Sequence, residues 1–268
     1  MQRTWSNGVE IAFDDTGGPE PAIVLIHAAF GNRSSYDGMV PGLAKKHRVI
    51  TLDLRGHGDS GVPDEPFGLL ECANDALAVC REAGVRRAVL GGLSMSGVIS
   101  LIAAGLAPDL VAGVVMLDGT LLFPEVIRKH GLEEFVPALE GPRWLEAARN
   151  YFGTLMFTRF DPPGLKDEIL DDLSKVPPHI AAPLMRDIFI SDHAEKLVAA
   201  PCPLLYIHGV TPTDVNRLRE LRPDALVGAV VGAGHFINMV VPEQLNAMIE
   251  RFIEVLPIAA PAQAQVAG

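Results

Sequence analysis

The chain has 268 residues, 49% of them hydrophobic and 21% charged, and its 22 Lys plus Arg against 33 Asp plus Glu give a formal net charge of −11. That apolar content excludes a disordered chain, and the length suits one large domain or one domain with an insertion. The negative charge, with no basic cluster to offset it, argues against non-specific binding to nucleic acid or to an anionic membrane. Cys72, Cys80 and Cys202 form neither a disulfide framework nor a CxxC metal pair. The start, MQRTWSNGVEIAF, has no basic stretch followed by an apolar run, so no signal peptide is expected. No apolar run approaches the roughly 18 uninterrupted residues of a membrane span. The expectation is a soluble cytoplasmic protein.

Asn7-Gly8 sits between two β-compatible runs, Gln2–Ser6 and Val9–Asp14, and reads as a hairpin. Short apolar runs follow at 22–27, 48–54, 87–93, 111–118, 203–209 and 226–235. Rich in Val, Ile and Leu, they suit strands buried on both faces. Between most of them lie helical patterns. Leu69–Ala83 ends at Gly84, Ser96–Leu106 is stopped by Pro108, and Pro242–Leu256 opens on a proline at a first-turn position. This alternation predicts an α/β fold: a mostly parallel sheet with helices on both faces. The stretch from Thr120 to about Ala200 breaks the pattern, looks helical throughout, and is too long for a crossover loop. It reads as a helical cap, which divides the chain into a core of 1–119 and 201–256, a cap of 120–200 and a loose Ala/Pro/Gln-rich tail of 257–268.

The motif that carries chemistry is GGLSMSG at 91–97, between an apolar strand and a helix. It places Ser94 on a sharp strand-to-helix turn, where small neighbours are needed and the helix N-terminus favours negative charge. Gly92 and Ser94 fit the Gly-x-Ser-x-Gly pattern, whereas Ser96 stands where the last Gly is usual. HAAFGN (27–32) follows an earlier strand, where a backbone amide can supply one oxyanion donor and the amide of Met95 the other. DLRGHGDS (53–60) makes a Gly-rich turn after the next strand, and GAGH (232–235) ends the last one.

With these elements in this order, the chain resembles the α/β-hydrolase fold superfamily from about Gly8 to Leu256, with a helical cap after the sixth strand. The resemblance implies an eight-stranded sheet, Ser94 as nucleophile and His235 as base, in the order Ser, acid, His. The position of His235, in a Gly-rich loop after the last strand, agrees, because a Ser hydroxyl needs an adjacent base. His57 reads as structural, and His27 and His208 as shaping the pocket. The acid is open. The usual family position, three residues after the Gly ending the seventh strand, holds Pro212; Asp214 lies two residues further. Asp118 ends the sixth strand, where some superfamily members carry their acid, and is favoured over Asp214.

The expected oxyanion donors are the amides of Ala29 and Met95. Phe30, Trp144, Met185 and Phe236 are expected to touch substrate. Asp53 and Arg55 brace the turn. No P-loop, no GxGxxG in the first βα unit and no HExxH is present, so no nucleotide, nicotinamide or metal is expected. The first functional reading is a serine hydrolase acting on a small, fairly apolar ester or lactone. Two other readings stay open: a cofactor-free dioxygenase or C–C bond hydrolase on the same fold, and a non-enzymatic receptor on a hydrolase scaffold. Met95 counts against the dioxygenase, which carries His directly after the elbow Ser. Ser96 matches some receptors of the superfamily. Oligomeric state is not legible.

Overall fold

A computed structural model describes residues 1–257. The expected tail therefore lies outside the described residues, Pro257 apart. The strands are β1 (Gln2–Ser6), β2 (Val9–Asp15), β3 (Ala22–Ile26), β4 (Val49–Leu52), β5 (Ala88–Leu93), β6 (Val111–Leu117), β7 (Leu204–His208) and β8 (Leu226–Ala229). They form one sheet in the order β1-β2-β4-β3-β5-β6-β7-β8. The β1–β2 and β2–β4 pairs are antiparallel and the rest parallel. Asn7 and Gly8 take φ of 46° and 81°, the left-handed pair that a tight hairpin turn demands.

The helices are α1 (Val40–Leu43), α2 (Leu69–Glu82), α3 (Met95–Leu106), α4 (Glu125–His130), α5 (Val136–Leu139), α6 (Trp144–Leu155), α7 (Leu165–Asp172), α8 (Pro178–Phe189), α9 (Ala194–Ala199), α10 (Val215–Leu221), α11 (Ile237–Val240) and α12 (Pro242–Val255). At the end of α2, Gly84 has φ 64°, and the amides of Gly84 and Val85 donate to the carbonyls of Arg81 and Cys80. That is the paired C-terminal cap the glycine signalled.

Side-chain alternation along the central strands builds two cores. Val24, Ile26, Leu90, Val114 and Met116 face α2 and α3, in a core that continues into the inserted helices. Ile23, Leu25, Val89, Val115 and Leu117 face the other way, onto Leu245, Ile249, Phe252 and Ile253 of α12. Each buried Leu, Ile or Phe contributes roughly 1.5–3 kcal/mol. Helices α4 to α9 all lie between β6 and β7, where the unbroken helical pattern occurs. Among the described residues no helix is long and apolar enough to cross a membrane.

One expected strand is too long. The run 226–235 is strand only to Ala229, and Gly232, with φ 80°, already lies in a loop that leads to His235. The two glycines at 232 and 234 release the chain from the sheet.

Candidate active site

The strand β5 ends at Leu93, whose amide donates to the Tyr36 hydroxyl at 3.0 Å, and Tyr36 donates in turn to the Ile26 carbonyl at 2.7 Å. Ser94 then takes φ 62° and ψ −123°, a strained conformation for a residue with a side chain, before α3 begins. Its amide donates to the Leu117 carbonyl at 2.9 Å, tying the turn to the end of β6. A Cβ on Gly92 would run into the Ile26 carbonyl, and one on Gly97 would lie 2.5 Å from the Met116 methyl carbon. Small residues are thus enforced by packing. Ser96 is tolerated because it is fully buried and its hydroxyl donates to the His27 carbonyl, joining α3 to the loop after β3.

That loop begins His27-Ala28-Ala29-Phe30, with Phe30 at φ 62°. His27 is a brace. Its Nδ1–H donates to the Ala28 carbonyl at 2.7 Å, and its Nε2 accepts from the Leu54 amide at 2.9 Å. Burial pushes its pKa down to about 4 against the opposing bond to Ala28, so the ring is neutral. Neither His27 nor His208 reaches the cavity wall. Among the described residues, the amides of Ala29 and Met95 have no hydrogen-bond acceptor. A first-turn helical amide such as that of Met95 is free for an external acceptor by geometry alone.

Asp118 follows β6 with φ 44° and is fully buried. Its carboxylate accepts from the amides of Gly209 (2.7 Å), Val210 (3.2 Å) and Thr211 (3.1 Å), and from the Thr211 hydroxyl (2.8 Å). Its Oδ2 also accepts from Nδ1 of His235 at 2.7 Å. Burial would raise the pKa of Asp118; the His235 bond and charge, the Thr211 hydroxyl and the Gly209 amide outweigh it and hold the carboxylate below its ordinary value. With Nδ1 donating to Asp118, Nε2 of His235 is left to accept a proton.

The other candidate acid is used elsewhere. Asp214 is the N-cap of α10 and accepts from the Arg217 amide at 3.0 Å. Gly209 misled the register: its missing side chain makes room for Asp118, since a Cβ there would lie 2.8 Å from the Asp118 carboxyl carbon. Thr211 was not singled out from sequence. Its oxygen lies 3.0 Å from His235 Nδ1, and the only sequence signal was a hydroxyl residue in the loop after β7.

Ser94 and His235 face one cavity of about 950 Å³, its open mouth included. Ala29, Phe30, Met185 and Phe236 line it. Phe123, Tyr151, Phe152 and Phe189 also line it. Trp144 does not. It starts α6 and packs, half-buried, on the core. Tyr151 lies seven residues along nearly the same helical stripe, so Trp144 has the right face but sits about 10 Å from the cavity end of the helix. The turn residues Asp53 and Arg55 are braces. Asp53 accepts from the amides of Arg33 and Asp59, and Arg55 pairs with Asp75 at 2.6 Å.

Comparison with known proteins agrees with this architecture. The family model described as alpha/beta hydrolase fold matches residues 21–158. A dihydrolipoyllysine-residue acetyltransferase component of the acetoin cleaving system from Pseudomonas putida is 30% identical over 241 residues, 86% of this chain and 63% of that protein. An sn-1-specific diacylglycerol lipase of Mus musculus is 25% identical over 258 residues, covering 87% of this chain and 81% of the lipase. The solved enol-lactonase of Burkholderia xenovorans LB400 superposes with a TM-score of 0.78 at 23% identity, covering 94% of this chain and 98% of that one. The chain belongs to the alpha/beta hydrolase fold family and is a hydrolase of that fold.

Proposed function

We propose that this hydrolase cleaves a small, fairly apolar carboxylic ester or lactone through a covalent acyl-enzyme. The carrying observation is the 2.7 Å bond from His235 Nδ1 to Asp118, with His235 and Ser94 on the wall of one cavity. In this reading Ser94 Oγ attacks the carbonyl carbon as its proton passes to His235 Nε2. Collapse of the tetrahedral intermediate breaks the C–O bond, and the alkoxide leaves with the proton from His235. Water then gives a proton to His235 and attacks the acyl carbon; the acid departs and Ser94 regains its proton. Asp118 holds the tautomer of His235 and balances the imidazolium. The amides of Ala29 and Met95 bind the developing oxyanion.

The inserted helices act as a cap that selects the substrate, through Tyr151, Phe152, Met185 and Phe189. The aromatic wall favours an apolar acyl or alcohol group. The lipase and the enol-lactonase are named for ester and lactone chemistry, which supports this substrate class. A panel of p-nitrophenyl esters and lactones of increasing length tests it. Turnover of at least one class, abolished by Ser94→Ala, is expected. Binding without turnover across the panel, or consumption of oxygen in place of water, would contradict it.

A further inference from the structure

The loop that carries His235 is held from the inserted helices. The His235 amide donates to the Met156 carbonyl at 2.8 Å, and the Gly234 amide donates to Asp161 Oδ1 at 2.7 Å. Phe157 stacks on Phe236 with ring centroids 5.3 Å apart. The other oxygen of Asp161 accepts from the Thr158 amide at 2.6 Å, so one carboxylate closes its own turn and reaches across to the loop. Gly234 makes the approach possible, because a Cβ there would lie 2.6 Å from both the Met156 carbonyl and Asp161 Oδ2. Met156 also lines the cavity beside Ser94 and His235.

Two glycines, Gly232 and Gly234, give this loop more backbone freedom than any other residue would. The bond from Asp118 fixes one ring nitrogen but not the backbone beneath it. We propose that Asp161 is a positioning residue: by holding Gly234 it sets the height of His235 over Ser94, so the cap is part of the catalytic geometry as well as a substrate filter. The inference rests on His235 being the base. A charge-assisted bond to a backbone amide is stronger than a neutral one, and a displacement of about 1 Å at a reacting group can cost up to roughly 100-fold.

Kinetics of Asp161→Ala and Asp161→Asn on one ester test it. Asp161→Ala is expected to lower kcat about 10-fold, with KM within about twofold and Tm shifted only a few degrees. The rate of phosphonate labelling at Ser94 should fall by the same factor as kcat. Asn keeps one acceptor for Gly234 but sets its NH2 against the Thr158 amide, so a partial recovery is expected. In a His235→Ala background, Asp161→Ala should add nothing, because both act through one group. If Asp161→Ala fails to fold, Gly234→Ala, which pushes the loop off the same contact, carries the test with the same expected split. Wild-type kcat in Asp161→Ala, no recovery with Asn, or full additivity with His235→Ala would overturn the proposal. Full activity in His235→Ala itself would instead sink the reading of the site on which it rests.

Discussion

At Asp118 a left-handed backbone turns a strand-end carboxylate into a cage of amides from Gly209, Val210 and Thr211. Such a cage fixes both oxygens, so the tautomer of His235 follows from the backbone around its partner. Asp118→Asn should lower kcat by roughly four orders of magnitude, since an amide facing Nδ1 favours the wrong tautomer. Asp214→Asn should leave kcat unchanged, and Asp214→Ala should cost about 1 kcal/mol of stability through loss of the α10 cap. Steady-state kinetics and urea unfolding on the three variants check both statements, and the reverse order of damage would count against the assignment. The sequence favoured Asp118 because the usual position held Pro212. It could not show why, since the pairing of Asp118 with residues 209–211 joins positions some ninety residues apart in the chain. Thr211 escaped notice for the same reason.

Among the elements, the parallel strands, the capped end of α2 and the turn at Ser94 were legible because each is specified locally, by apolar runs and by glycines at fixed positions. The inserted helices were legible as helices but not in how they dock. Trp144 and Tyr151 stand seven residues apart on nearly one stripe of α6, yet only Tyr151 reaches the cavity. Met185→Ala is therefore expected to change the ranking of substrates by acyl length, whereas Trp144→Ala should preserve it; kcat/KM across an ester series separates the two. The turn after β4 is tied to α2 by the buried pair Arg55–Asp75. Asp75→Asn leaves a guanidinium 5% exposed without its counter-charge and should cost about 3–5 kcal/mol in urea unfolding. A loss below about 1 kcal/mol would mean that water reaches the pair.

For the molecule as a whole, two buried histidines make stability fall as the pH is lowered from neutral. Burial holds His27 at about 4 and His57 at about 3, with charge on the neighbouring His27 ring further opposing protonation of His57. Both values lie below the ordinary imidazole value of 6.5. Above that value their contribution to stability is complete. As pH falls below it, the unfolded chain takes up protons that the folded chain refuses, so stability is lost down to the folded values. Two such groups give a slope of up to about 3 kcal/mol per pH unit. Urea unfolding at steps from neutral to about pH 5 measures it, and a flat profile over that range would show that the rings protonate in the native state. The same buried His27 ties the loop after β3 to the Leu54 amide, beside Ser94. Every role proposed for the site depends on Ser94 being the activated nucleophile. The most direct test is peptide mapping by mass spectrometry after reaction with an organophosphonate. One adduct is expected, on Ser94, absent from Ser94→Ala and strongly slowed in His235→Ala. An adduct on another residue, or an unmodified Ser94 in protein that turns over esters, would contradict it.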